Sequence, residues 1–471
     1  MQRFQLLIDG QLVPGDAEMT VINPATGQPL TQCPRASADQ LEAAVAAAKR
    51  AFPAWAATPV AERGAALKKL ADAIKENGEA LGTLLTQEQG KPLKEAGGEV
   101  GAAIAFLRHF ANLEMPAKVI EDTDRRRVEQ RHTPLGVAAL IVPWNFPLLV
   151  VCGKLGPALL TGNTVVIKPA PTTPLATLFL GELCASIFPP GVVNIVTDQN
   201  DLAPLLTTHP DVRKVSFTGS TATGRKVMAS SAETIKRITL ELGGNDAAIM
   251  LDDADVKATA RRVFGRAFAN NGQVCFAIKR FYVPEAMYDE VVGELVNLAS
   301  DAVVGDGMDE NTRYGPLQNR MQFDKVRGLI DDTRATGGTI AAGGEVTENG
   351  GYFIRPTIVR DVTNGSRIVD EEQFGPVLPV IKYRDVDEAV TLANATGYGL
   401  GGSVWGADTE RAAEVAGRID AGTVWVNTHQ EIAPNIPLAG AKQSGLGVEY
   451  AEEGLVEFTQ SRIVSITKPA A

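Results

Sequence analysis

The chain has 471 residues, of which 45% are hydrophobic and 21% charged, with a formal net charge of −11. That length allows two or three domains of roughly 100–200 residues each, and the apolar share can fill a large core. The acidic balance is spread along the chain and offers no basic footprint for nucleic acid, though helix N-termini and a few lysines still bind phosphate locally.

The opening MQRFQLLIDGQLVPG has an apolar run too short for a signal peptide. Its two short runs around Asp9-Gly10 predict a hairpin. Residues 38–112 carry helical spacing, as in SADQLEAAVAAAKRAF and ERGAALKKLADAIKENG, with Ser37 placed to cap the first helix. RRRVEQRHTPLG reads as an exposed strand. From GVAALIVPW onward, five apolar strands alternate with helical segments: GVAALIVPW, TVVIKPA, VVNIVT, KVSFTG and RITLELGG. Strands buried on both faces look like this, so an open α/β sheet is expected. A second alternating run, from AAIMLDD through KRFYVP, FGPVLPVIKY and GGSVWG to AGTVWVN, predicts a second α/β unit, and EFTQSRIVSITK a final strand. No run approaches the roughly 18 apolar residues of a membrane span. Cys33, Cys152, Cys184 and Cys275 contain no CxxC pair. Neither a disulfide framework nor a metal site is expected, and a reducing, cytoplasmic setting is.

Several segments carry chemistry. KVSFTG runs into GSTATG, Gly219 to Gly224, ahead of a helix. Glycines at such a turn let backbone N–H groups approach an anion. The spacing is neither GxGxxG nor a P-loop, since Arg225-Lys226 follows Gly224; alone, it is equally an ordinary turn. The formal GxGxxG at Gly397, Gly399 and Gly402 follows a helix and precedes a strand, the wrong order for a dinucleotide site. Cys275, in NNGQVCFAIKR, is either a nucleophile after a turn or a small buried hydrophobe; the other cysteines read as the latter. Glu241, ending a strand in LELGGN, is either a general base with raised basicity or a salt-bridged acid. Asn145 in PWNFP is an oxyanion donor or a turn former. Lys168 in VVIKPAP is a phosphate or ribose contact or only a strand end.

PWNFP, GNTVVIKPA, FTGSTATG, LELGGN, GQVC and EEQFGP occur in the order and rough spacing of the aldehyde dehydrogenase superfamily. The chain resembles that superfamily from IDGQLV to the tail. The resemblance implies Cys275 as nucleophile, Glu241 as general base, and Asn145 with the Cys275 N–H as oxyanion hole. It implies Lys168 at the cofactor ribose, Gly219 and Ser220 beside the pyrophosphate, Trp144 bordering the cleft, and Glu372 and Phe374 at the nicotinamide-side ribose. Lys154 and Glu449 would form a proton relay behind the base. The implied activity is oxidation of an aldehyde to its carboxylic acid with NAD or NADP. Pro171 stands where many NAD-preferring members carry an acid, so NADP is expected to be tolerated.

Small or aliphatic residues at Gly153 and Leu438 suggest a roomy apolar tunnel for aromatic or medium-chain aldehydes. No arginine adjoins Cys275, although Lys279 and Arg280 follow it, which disfavours a dicarboxylic semialdehyde. A CoA-acylating member and a cofactor-independent cysteine esterase or hydrolase are the alternatives; Glu241 argues against the first and the few histidines against the second. The resemblance also implies a fold of two open-sheet α/β domains, one Rossmann-like and cofactor-binding and one catalytic, plus a small β oligomerisation element. The expected division is 1–116 and 135–242 for the cofactor, 243–443 for catalysis, and 117–134 with 458–471 for a homodimer or homotetramer contact.

Overall fold

The computed structural model describes residues 4–347 and 350–469. Residues 1–3, 348–349 and 470–471 of the expected segments lie outside the described residues. The hairpin forms as Leu6–Ile8 against Gln11–Val13. Asp9 and Gly10 both take positive φ, 53° and 75°, as a two-residue turn matched to the strand twist requires. Ser37 caps the helix Ala38–Ala57 with Gln40 completing a capping box.

The five apolar strands lie in one eight-stranded sheet. Its order is Gln11–Val13, Leu6–Ile8, Val193–Ile195, Thr164–Lys168, Val137–Ile141, Val212–Thr218, Arg237–Glu241 and Gly445–Leu446. The five central strands run parallel, and both Val137–Ile141 and Thr164–Lys168 are buried throughout. From Val137–Ile141 the chain builds outward to one side through Thr164–Lys168 and Val193–Ile195. It then returns to the other side at Val212–Thr218. Such a reversal opens a crevice at the carboxyl ends of the strands, where open α/β sheets bind ligands.

A seven-stranded sheet follows, ordered Thr339–Ala342, Thr357–Arg360, Val377–Tyr383, Ile278–Pro284, Asp246–Met250, Gly401–Trp405 and Thr423–Val426. Along its Asp246–Met250 strand, Ala247 and Ile249 pack into one apolar cluster while Ala248 and Met250 pack into another. Alternation across a sheet covered on both faces produces this split. Thr459–Thr467 pairs antiparallel with Arg126–Pro134, which also pairs with Lys118–Asp122. Val119, Ile120, Ile463 and Ile466 on these strands are exposed. Among the described residues no helix is long and apolar enough to cross a membrane, and no group of side chains is arranged to hold a metal ion.

Residues 444–457 fell between the expected segments. Gly445–Leu446 joins the first sheet, pairing Gly445 with Glu241 and Leu446 with Leu240. A two-residue strand is too short to leave an alternation signal in sequence.

Candidate functional site

Asn145 lies between the strand Val137–Ile141 and the helix Pro147–Leu160, which starts on a proline at its first position. Its amide nitrogen donates to the Gln273 carbonyl at 2.9 Å. Its own carbonyl accepts from Lys91 Nζ at 2.8 Å and from Asn270 Nδ2 at 3.1 Å. Lys91 is paired with Glu99, both side chains without exposure, and Glu99 accepts the Leu148 and Leu149 N–H groups at 2.9 and 3.1 Å. A carboxylate there satisfies first-turn donors that have no intrahelical partner. The buried pair therefore grips Asn145 from both its carbonyl and the helix that follows.

The segment before Cys275 is bent by three successive residues with positive φ: Asn270 at 46°, Asn271 at 52° and Gly272 at 76°. Glu95 accepts the Asn270 N–H at 3.0 Å, and Asn271 Nδ2 donates to the Gly315 carbonyl at 2.8 Å. A Cβ on Gly272 would run into the Gly375 carbonyl oxygen, so glycine alone allows the two loops to touch. Lys279 Nζ donates to the Val274 and Cys275 carbonyls at 2.9 and 2.5 Å and lies 3.4 Å from Glu372. Arg280 turns inward to the Asn245, Leu392 and Ala393 carbonyls. Among the described residues the Cys275 N–H donates to no protein acceptor.

Cys275 is partly exposed, whereas Cys33, Cys152 and Cys184 are buried. Burial pushes its thiol pKa up, opposed by Lys279 and reinforced by Glu241, Asp246 and Glu372. Alkylation by iodoacetamide is therefore expected at Cys275 alone. Its rate should climb with pH through the neutral and alkaline range as thiolate forms. Peptide mass spectrometry reads the site; equal labelling of a buried cysteine would refute the expectation.

Glu241 ends its strand with its carboxyl buried, one oxygen lacking a partner among the described residues. Its pKa stands well above the ordinary carboxylate value, raised first by burial and then by Glu449, against Lys154. Lys154 pairs with Glu449 and donates to Ser216 Oγ at 2.9 Å. Ser216 Oγ lies 3.3 Å from the same Glu449 oxygen. The expected pair Lys154 and Glu449 do meet, and Ser216 joins them.

At the crevice, Lys168 Nζ is held by Asp198 at 2.7 Å and by Asn200 at 3.1 Å. Ser220 caps the helix Thr221–Ser231 through the Thr223 N–H, and the turn itself is open to solvent. The free N–H groups of that first turn and a strand-end lysine suit a nucleotide phosphate and ribose. Glu372 accepts the Gly244 N–H at 3.0 Å. Trp144 and Phe374 meet edge to face at 5.3 Å between ring centres. All six expected cofactor contacts thus lie on strand ends or on the loops that face them.

Sequence reasoning missed Lys91, Glu99, Asp198, Ser216 and Lys279 as site builders. Ser216 had a signal: it lies two residues before Thr218 on one strand, on the face that carries Glu241's pairing partner. Lys279 was visible four residues after Cys275 but read only as a cation near it, while Lys91, Glu99 and Asp198 come from remote segments and left no signal. The roominess expected at Gly153 is not found, because the Tyr450 ring fills that space: a Cβ on Gly153 would lie 2.9 Å from Tyr450 Cε1. Leu438 is buried. His429 Nε2 faces the Phe276 carbonyl at 2.9 Å and Asp246 at 3.4 Å, and makes no hydrogen bond to Cys275 among the described residues.

Residues 12–464 match the model of the aldehyde dehydrogenase family. The chain is 40% identical to aldehyde dehydrogenase LUC3 of Fusarium sp over 99% of both chains. Its fold superimposes on a putative aldehyde dehydrogenase from Burkholderia cenocepacia with a TM-score of 0.96 and 40% identity, covering 99% of this chain and 98% of that one. A betaine aldehyde dehydrogenase from Staphylococcus aureus, solved in complex with NAD+, gives a TM-score of 0.96 at 32% identity, covering 99% of this chain and 95% of the other.

Proposed function

The chain belongs to the aldehyde dehydrogenase family and oxidises aldehydes with NAD or NADP; from that premise we propose that it converts an aromatic or medium-chain apolar aldehyde to the free acid by covalent catalysis at Cys275. The carrying observation is that the Cys275 N–H has no acceptor among the described residues, that Asn145 Nδ2 donates to the Gln273 carbonyl two residues before Cys275, and that Glu241 acts on the Cys275 thiol electrostatically. The Cys275 thiolate adds to the aldehyde carbon. The second amide hydrogen of Asn145 and the Cys275 N–H stabilise the oxyanion, an effect commonly worth about 10²–10³ in rate per donor. Collapse of the thiohemiacetal expels hydride and leaves a thioester on Cys275. Glu241 takes a proton from water, which displaces the thiol and releases the acid, and Lys154, Ser216 and Glu449 hand that proton onward.

A bound nicotinamide dinucleotide supplies the hydride acceptor. Lys168, Gly219, Ser220, Trp144, Glu372 and Phe374 would hold it. Lys279 and Arg280 turn inward to backbone carbonyls, so neither is free for a second substrate carboxylate, which fits an apolar aldehyde. We assign residues 1–116 and 135–242 to cofactor binding, 243–443 to catalysis, and 117–134 with 458–471 to subunit contact, through the exposed strand edges. The assembly is a cytoplasmic homodimer or homotetramer in this reading.

Pure protein with benzaldehyde and either dinucleotide should form reduced cofactor and benzoate in equal amounts. Acyl-CoA appearing on addition of CoA would favour the acylating alternative.

Pro171 leaves no acid three residues after Lys168, so both dinucleotides serve. The Asp198 carboxylate sets their ratio by engaging the lysine that a 2′-phosphate needs. Asp198→Asn is expected to shift the ratio of NADPH to NADH dissociation constants toward NADPH by about tenfold, roughly 1.4 kcal/mol. Fluorescence titration of the free enzyme measures it; an unchanged ratio would remove Asp198 from the account.

A further inference from the structure

Tyr450 stands in a backbone conformation, φ 66° and ψ 175°, that is essentially confined to glycine. Such strain persists only where surrounding bonds fix it. Here Glu449 exchanges two 2.8 Å hydrogen bonds with Leu438, Ala451 N–H donates to the Pro434 carbonyl at 2.9 Å, and Gly454 N–H donates to the Tyr450 carbonyl at 2.7 Å. What the strain achieves is the seat of the ring. The ring meets Phe106 edge to face at 4.6 Å and 73° and occupies the space above Gly153. Only 5% of the residue is exposed, and its hydroxyl has no hydrogen-bond partner among the described residues.

This seat adjoins the reacting groups. Gly153 precedes Lys154 and Tyr450 follows Glu449, and those two flanking residues form the buried ion pair behind Glu241. Burial and the nearby Glu449, Glu241 and Cys275 hold the phenol protonated, so the ring presents a neutral aromatic face. Cys275 and Glu241 both lie close enough to act on the Tyr450 phenol, which puts this ring beside the groups from which an acyl chain would extend.

We propose that Tyr450 is a specificity-determining residue of this pocket, its strained backbone setting an aromatic wall over Gly153 that selects flat aromatic aldehydes. The inference rests on the function proposed above. A planar ring packs edge to face against Tyr450 and Phe106, whereas a saturated ring of equal size cannot.

The test compares kcat/KM for benzaldehyde with that for cyclohexanecarbaldehyde. The parent enzyme should favour benzaldehyde by about tenfold or more, the scale of paired aromatic contacts. Tyr450→Phe keeps the ring and should keep the ratio. Tyr450→Gly removes the ring, suits the backbone, and should bring the ratio close to one. Circular dichroism checks its folding; should it fail to fold, Gly153→Ala, whose methyl displaces the ring, should lower the ratio. A parent ratio near one, or a ratio unmoved in the folded ring-deleting or ring-displacing variant, overturns the proposal. Loss of the preference in Tyr450→Phe overturns it as well. Failure of the underlying function would look different: neither benzaldehyde nor propanal would be oxidised, and Cys275 would carry no acyl group.

Discussion

Cys275→Ala is expected to lower aldehyde turnover by on the order of 10⁴-fold or more, the scale on which loss of an enzyme nucleophile is felt. The substitution removes a sulfur and leaves the frame around it. That frame is built from elsewhere: Lys279 holds the Val274 and Cys275 carbonyls, Glu95 and Gly315 hold the preceding bend, and Lys91 with Glu99 holds Asn145. The variant should therefore unfold at nearly the parent temperature and still bind reduced dinucleotide, read by fluorescence titration. Near-parent turnover would remove covalent catalysis from the account. A parallel collapse of thermal stability would mean that the loss reports folding.

Glu241→Gln is expected to separate the two halves of the reaction. Addition to the aldehyde and hydride transfer need the thiolate and the oxyanion donors. Hydrolysis needs the base. A rapid burst of about one equivalent of reduced dinucleotide per chain should be followed by a steady state slower by about 10²–10⁴-fold. Stopped-flow absorbance at 340 nm shows both phases, that wavelength being where reduced nicotinamide absorbs. The pH profile sharpens the test. Burial, with Glu449 adding and Lys154 opposing, raises the Glu241 pKa, so the working carboxylate appears only as pH climbs through that raised value. Parent steady-state turnover should rise with pH accordingly, and the glutamine variant should lose this component. A variant with no burst and a proportionate loss in both phases would place Glu241 before the thioester.

The two open sheets were legible because buried parallel strands are nearly continuous apolar runs with helical spacing between them. The hairpin was legible because Asp-Gly suits positive φ at both turn positions. The proposed nucleophile, base and oxyanion donor were legible only jointly. Its Gly-containing turn alone left Cys275 open between nucleophile and small buried hydrophobe, and only the ordered motifs favoured the nucleophile. What stayed hidden is what distant segments contribute. Nothing in GKP announces that Lys91 reaches the Asn145 carbonyl, and nothing in TDQN announces that Asp198 pairs with Lys168. These are contacts between residues 54 and 30 positions apart, fixed by packing. Gly153 misled for the same reason: a small residue implies a gap only if no distant side chain fills it, and Tyr450 does.

The most direct test of the account is to mix Glu241→Gln enzyme with benzaldehyde and oxidised dinucleotide, quench during the slow phase, and map the adduct by peptide mass spectrometry. One benzoyl group per chain is expected, on the peptide containing Cys275 and on no other. Reduced dinucleotide formed in stoichiometric amount with Cys275 unmodified, or with the acyl group on another residue, would contradict it.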